Sequence, residues 1–404
     1  MPESARPPLE GLIVADFSRV LAGPLATMML ADLGATVIKV ERSGVGDDTR
    51  AWGPPWSSSS SSYFDTANHS KISLALDFAN PDDLAVARDL AQRADVLVEN
   101  FRPGALDAWG LGYAQSVADN PGLIYASITG FGRAGGADLM GYDFLVQAVG
   151  GLMSITGDQD GPPTKVGVAL VDVLTGKDLV IGVLAALASR GITGKGCRVE
   201  VNLLSSLLSS LANQAQGYLT TGRPPGRMGN QHPSIAPYEA LRCADGDLAI
   251  ACGNDAQFAR LTTALGVGHL ASDPRFITNA DRVAHRADLI TELETRLVNR
   301  NASEWQAVLR EVRVPAGKVG DLADAFALAQ DLGLDPWTNV GDGLRKTPVV
   351  RHPVAYDSGL TADATPPPLL NEHGALLRSW LANPHSSASD LKAGLASTNS
   401  VKGS

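Results

Sequence analysis

Between residues 11 and about 200, short β-branched runs alternate with longer helical ones, and this alternation constrains the fold more than any other feature of the chain. GLIVADF (11–17), TVIKVE (36–41), DVLVENF (95–101), LIYASITGF (123–131) and RVEVNL (198–203) read as strands. PLATMMLADLGA (24–35) and DDLAVARDLAQRA (82–94) read as helices between them. Strands joined through helices pair in parallel, and runs apolar at nearly every position belong to a sheet covered on both faces. The expected fold class is therefore α/β, with a Rossmann-like parallel sheet in a large domain. KVGVALVDVLTGKDLVIGVLAAL (165–187) passes from an extended to a helical pattern at Asp172, and its helix is expected to run to about Arg190 with Gly191 as C-cap. WSSSSSSYF (56–64) is of low complexity and reads as a solvated surface loop.

Around TTGRPPGRMGNQHPSIAPY (220–238) the apolar rhythm stops, which marks a domain junction. The expected organisation is a large domain over 8–220, a smaller α+β domain over 221–330, a segment over 331–384 that returns to the large domain, and a polar tail over 385–404. Within the smaller domain YEALRCADGDLAIACG suggests a hairpin, with helices near 255–266, 281–298 and 302–313.

Composition removes several classes of function. A chain of 404 residues, 44% hydrophobic and 19% charged, is long enough for two domains with sizeable cores. A net charge of −10, with no run of Lys and Arg, argues against nucleic acid as a partner. Cys197, Cys243 and Cys252 are too few for a disulfide framework and lack zinc spacing, and the seven histidines are spread singly. No metal is expected, and a reducing cytoplasm fits best. The first residues lack the basic and apolar blocks of a leader, and no run of about 18 apolar residues occurs, so no membrane partner is expected. A nicotinamide cofactor would need a glycine fingerprint after the first strand, but SRVLAGPLATMML offers only Gly23. P-loop and nucleophile-elbow patterns are absent as well.

Two features remain, Asp172 and LMGYDFLVQAVGGLMSITG (139–157). Asp is a preferred N-cap, and a helix follows Asp172 at once, so a capping role is the bland reading. The sharper reading is a nucleophile: a helix N-terminus favours the ionised carboxylate while apolar surroundings strip its hydration. The two roles are compatible. Tyr142 and Asp143 offer a hydroxyl and a second acid, or an aromatic and a polar residue of an ordinary helix.

Six stretches in this order, LEGLIVADFSRVLAGP (9–24), LGATVIKVERSGVGDDTR (33–50), DVLVENFRPGALDAWGLGY (95–113), GYD (141–143), DVLTG (172–176) and PPLLNEH (367–373), resemble the class III CoA-transferases. That family includes formyl-CoA and carnitine CoA-transferases and shares its fold with α-methylacyl-CoA racemase. The resemblance covers about residues 8–380. It implies an acyl-CoA:carboxylate CoA-transferase acting through an aspartyl anhydride and an aspartyl-CoA thioester, with Asp172 as the catalytic residue. It further implies that Arg42 meets the nucleotide end of coenzyme A, that Val20, Leu76, Asn100, Phe101 and Ala105 wall the adenine and pantetheine, and that Tyr142 lies near the reacting sulfur. Coenzyme A and a small carboxylic acid are then the substrates, and an interlocked homodimer the assembly.

Two departures from the family pattern stand out. Ala108 stands where formyl-CoA transferase has a phosphate-contacting arginine, with Arg102 either a nearby substitute or a solvent-exposed arginine, and GRMGNQHPSIAPY (226–238) stands where a glycine-rich loop covers the intermediate in that enzyme. The alternatives are a racemase-like enzyme or a non-catalytic CoA-binding homologue. Racemisation needs a base on each face of the substrate, and Tyr142, a phenol with a pKa of about 10, stands where the racemases have a histidine.

Overall fold

The computed structural model describes residues 6–57, 60–357 and 359–402. Ser58 and Ser59 of the serine-rich stretch, and the last two residues of the polar tail, lie outside the described residues. The chain divides into two compact units, one formed by Met1–Gly150, Val166–Thr220 and Asp335–Ser404, the other by Gly151–Lys165 and Thr221–Leu334.

The first unit is built on a six-stranded parallel sheet of β1 (Ile13–Asp16), β2 (Thr36–Arg42), β3 (Lys71–Leu76), β4 (Val96–Glu99), β5 (Ile124–Thr129) and β6 (Arg198–Asn202), in the order β3-β2-β1-β4-β5-β6. Its helices are α1 (Ala22–Asp32), α2 (Ser62–Asp65), α3 (Pro81–Arg93), α4 (Tyr113–Asp119) and α5 (Asp143–Val149). After α6 (Leu152–Ile155), which belongs to the second unit, come α7 (Leu170–Thr193), α8 (Leu203–Ser210) and α9 (Ala212–Thr221), the last reaching the boundary. The α/β expectation holds. Local chemistry explains the ends: Asn80 caps α3 ahead of Pro81, accepting the Asp82 N–H. α7 runs past Gly191 and stops at Gly194, whose φ of 69° supplies the left-handed C-cap, so the expected stop at Gly191 is corrected by one turn.

The strand β3 escapes the apolar pattern because it opens on Lys71, and it sits at the edge of the sheet, where the returning C-terminal segment ties to it. Asn371 accepts the Ala75 N–H at 3.0 Å, and the His373 N–H donates to the Ser73 carbonyl at 3.2 Å. The first unit ends with the antiparallel pair β10 (Trp337–Val340) and β11 (Thr347–Val350), then α15 (Gly374–Ala382) and α16 (Ala388–Lys402). Leu377, Trp380 and Leu381 of α15 join Leu90, Leu97 and Leu111 in one buried core.

In the second unit β7 (Tyr238–Arg242), β8 (Asp247–Ala251) and β9 (Ala316–Lys318) form an antiparallel sheet. Around it stand α10 (Asp255–Ala264), α11 (Asn279–Ala284), α12 (Arg286–Leu297), α13 (Ala302–Glu311) and α14 (Leu322–Asp331). The helix expected over 281–298 is broken at His285. Arg282 is wholly buried and is satisfied by the carbonyls of Ala236 and Phe276 and by Asp255, at 2.8, 3.0 and 2.7 Å.

Candidate active site

Strand order reverses between β1 and β4, and in sheets of this kind the crevice beyond the carboxyl ends at that point is where ligands bind. The segments leaving β1 (19–22), β4 (100–103) and β5 (128–130) line a cleft of about 240 Å³ there, together with Trp52, Met140, Tyr142 and Asp172.

The turn after β1 is supported by buried charge. Asp16 accepts the Ser18 N–H at 3.0 Å, the Ser18 and Thr27 hydroxyls, the latter at 2.7 Å, and the Lys71 ammonium at 2.9 Å. Lys39, fully buried like Lys71, donates to the Ser18 carbonyl at 3.3 Å and to Asp47 at 2.9 Å. Asp47 takes the N–H groups of Val20 (3.2 Å) and Thr49 (3.0 Å), and Glu41 is gripped twice by Arg50 at 2.7 and 2.8 Å. Three carboxylates thus meet three cations, and every carboxylate oxygen is bonded. Burial alone would raise Asp16, Asp47 and Glu41, but the neighbouring cations and hydrogen bonds outweigh it and hold all three below their ordinary range. Asp47 keeps Val20 at φ 72°, a left-handed conformation that costs a β-branched residue about 1–3 kcal/mol. Asn100 completes the support: its carbonyl accepts the Arg19 N–H at 3.0 Å and its amide donates to the Arg19 carbonyl at 2.7 Å, joining the β1 and β4 loops.

At the head of α7 the arrangement differs. Ala169 occupies the N-cap position and provides no side-chain bond, while Asp172 stands third in the helix. The expectation that Asp172 caps the helix is therefore corrected. Asp143, at the start of α5, does the capping, its Oδ1 accepting the N–H groups of Val171 (2.7 Å) and Asp172 (3.3 Å). Two glycine contacts permit this. A Cβ on Gly141 would lie 2.3 Å from the Gly130 Cα, so only a bare backbone lets the start of α5 reach the end of β5. A Cβ on Gly176 would lie 2.7 Å from the Ala22 carbonyl, so α7 rests directly on α1. Gly176 is thereby committed to helix packing.

Released from capping, the half-buried Asp172 carboxylate accepts no hydrogen bond from the described residues and faces the cleft lining. Burial first, and the charge of Asp143 second, push its pKa from 3.8 up to about 7. An acid that is partly desolvated, lacks a hydrogen-bond partner among the described residues and ionises near neutrality is chemically suited to attack an acyl carbon.

Of the residues expected here, Val20, Asn100, Phe101, Tyr142 and Asp172 line this cleft, with Tyr142 about half exposed at the N-cap of α5. Arg42, Leu76 and Ala105 do not. Arg42 and Leu76 are register partners at the carboxyl ends of β2 and β3, the first exposed and the second in the core. Ala105 lies half-buried in the turn after β4, its N–H bonded to the Arg102 carbonyl at 2.9 Å. Ala108 is exposed, while Arg102 lines the cleft and pairs with Asp138 at 3.4 Å.

Arg19, Trp52 and Tyr63 went unnoticed in the sequence. Tyr63 meets Trp52 edge-on at 5.2 Å, and its phenol is raised first by burial, then by the charges of Asp172, Asp143 and Asp47. The serine-rich stretch is therefore no solvated loop in its second half. Ser61 and Phe64 are fully buried, and Ser61 caps α2 by accepting the Phe64 N–H. The aromatic residues of WGPPW (52–56) and YF (63–64) were the available signal. No group of three or more His, Cys, Asp or Glu side chains among the described residues is placed to hold a metal.

The family profile described as CoA-transferase family III matches residues 9–374. A succinate–glutarate CoA-transferase from Agrobacterium fabrum is 43% identical over 92% of this chain and 94% of its own length. An acetyl-CoA:oxalate CoA-transferase from Acetobacter aceti is 38% identical over 95% of this chain and 98% of its own. Among solved structures, a CAIB/BAIF family protein from Brucella suis superposes with a TM-score of 0.85 at 44% identity, covering 93% of this chain and all of that one.

Proposed function

The chain belongs to CoA-transferase family III and is an acyl-CoA:carboxylate CoA-transferase, and on that premise we propose that Asp172 carries the transfer as its nucleophile. The observation that supports this most is the position of Asp172 in the first turn of α7, at the cleft, with its capping duty taken over by Asp143.

The proposed sequence runs as follows. The ionised Asp172 oxygen attacks the thioester carbon of the donor acyl-CoA, the C–S bond breaks, and a mixed anhydride and CoA thiolate result. The thiolate attacks the aspartyl carbonyl, the donor acid leaves as its carboxylate, and an aspartyl-CoA thioester remains. The acceptor carboxylate attacks that thioester to give a second anhydride and thiolate. The thiolate then attacks the acceptor's acyl carbon, which regenerates the Asp172 carboxylate and releases the new acyl-CoA. Charge and protons balance at every step, so no separate acid or base is needed. The cleft's role is to exclude water and keep the thiolate close.

Arg19 and Arg102 at the cleft suit the phosphates of coenzyme A. Arg42 and Ala105 extend the proposed contact surface along the nucleotide, beyond Val20, Asn100, Phe101 and Tyr142, with Leu76, the register partner of Arg42, held in the core beside it. Succinate, glutarate and oxalate in the relatives' names make short dicarboxylic acids the proposed donors and acceptors. A homodimer is the proposed assembly. It is supported by apolar side chains left open on the first unit, such as Phe144 at 60%, Ile181 at 66% and Ile192 at 89% exposure, and by α14 in the second unit, which buries none of its residues. No described helix is long and apolar enough to cross a membrane, and the cytoplasm is the proposed location. Asp172→Ala tests the assignment. CoA exchange between succinyl-CoA and glutarate is expected to fall by at least about 10⁴-fold while CoA binding, measured by calorimetry, stays within a few-fold; near wild-type exchange would refute it.

A further inference from the structure

Gln147 lies one turn beyond Asp143 on α5, is completely buried, and has no task in the transfer described above. Its side-chain carbonyl accepts the Val166 N–H at 2.9 Å, which fixes the orientation of the amide. The nitrogen end must then face Asp143 Oδ2, at 2.6 Å, and the Val168 carbonyl, at 3.4 Å. A glutamine so held can only donate toward position 143. Asp143 therefore accepts on both oxygens, from Gln147 on one and from the Val171 and Asp172 N–H groups on the other, and donates to none of them. That is the bonding pattern of an ionised carboxylate.

We infer that Gln147 is a positioning residue for the nucleophile: it clamps the Val166–Val168 chain that enters α7 and orients the Asp143 charge, so it sets both where Asp172 stands and how much negative charge it meets. This rests on the reading of Asp172 as nucleophile. The groups facing Asp172 are Asp143 from α5 and Tyr63 from α2, with Arg19, Asp48, Arg102 and Tyr142 around the cleft. Other elements packed on α7 bring Asp32 (α1), Tyr125 (β5), and Arg198 and Glu200 (β6), and α8 brings none. Lys177, Asp178 and Arg190 lie further along α7 itself. Of all these, only Asp143 perturbs Asp172.

The geometry allows the charge to be moved while most of the bonds are kept. In the double variant Asp143→Asn/Gln147→Glu, the asparagine carbonyl still accepts the α7 N–H groups and its amide donates to the new glutamate. That glutamate still accepts the Val166 N–H, and only the long contact to Val168 is lost. The negative charge has moved one turn away from Asp172.

Gln147→Leu is expected to lower kcat by roughly 10–100-fold with KM for the acyl-CoA nearly unchanged. The double variant should recover to within about tenfold of wild type, with the acid limb of kcat displaced to lower pH by about one unit. Wild-type kcat and an unmoved limb in Gln147→Leu would overturn the inference, as would recovery in the double variant with the limb unmoved, because that result means a purely structural part. Asp172→Ala assayed in parallel separates the two failures. If it is inactive while the Gln147 variants behave as wild type, only the positioning role falls; if it exchanges normally, the nucleophile reading falls too.

Discussion

The acids beneath the β1 turn and the acid at the head of α7 sit at the same end of the sheet, yet the protein treats them oppositely. Asp16 and Asp47 are surrounded by Lys39, Lys71, hydroxyls and backbone N–H groups, and are held ionised. Asp172 has its own backbone N–H taken by Asp143, gains no hydrogen-bond partner for its carboxylate among the described residues, and is pushed upward. Bonding state, not residue type, sets the two kinds of acid apart. The balanced cluster supports the turn at the cleft, and the unbalanced acid is the one proposed to attack the substrate.

The comparison is broken most severely from the balanced side. Lys39→Met removes one cation and leaves Asp47 buried against the strained Val20 turn without its main counter-charge. A loss of about 3–5 kcal/mol in unfolding free energy is expected from urea denaturation, because one partner of a buried ion network is deleted. Stability unchanged within error would show that the network contributes nothing to the wall.

A smaller effect of opposite sign is expected on the other side. The folded-state pKa of Asp172 lies above its ordinary value, so the ionised carboxylate costs stability, and the cost grows as pH rises from near 3.8 through about 7. Asp172→Asn never ionises. Its Tm should exceed that of the wild type by roughly 2–4 °C at pH 8, and the gap should close below about pH 4. A lower Tm at pH 8 would mean that Asp172 is stabilising where it stands, as the acids under β1 are.

Much of this architecture could be read from the sequence because it depends on local pattern. Four of the five expected strands of the sheet are continuous buried runs, and Asp172 falls where the extended pattern becomes helical. What was hidden depends on tertiary partners. Lys39 inside TVIKVE and Lys71 at the start of KISLAL look like solvent-facing positions of a strand, and only the assembled sheet brings Asp16 and Asp47 to them. The exchange of capping duty between Asp143 and Asp172 spans 29 residues and depends on the close approach of Gly130 and Gly141, so no helix-start signal near Asp172 reveals it. Trp52 and Tyr63 were masked by the serines between them, although Phe64 anchors that segment in the core.

The claim on which the rest depends is that Asp172 becomes covalently acylated. Incubating the enzyme with succinyl-CoA, adding hydroxylamine and reading the proteolytic peptides by mass spectrometry tests it directly. The account predicts a hydroxamate on the peptide containing Asp172, absent when acyl-CoA is omitted and absent in Asp172→Asn. An unmodified Asp172 peptide from enzyme that is turning over, or a hydroxamate on a different acid, would contradict it.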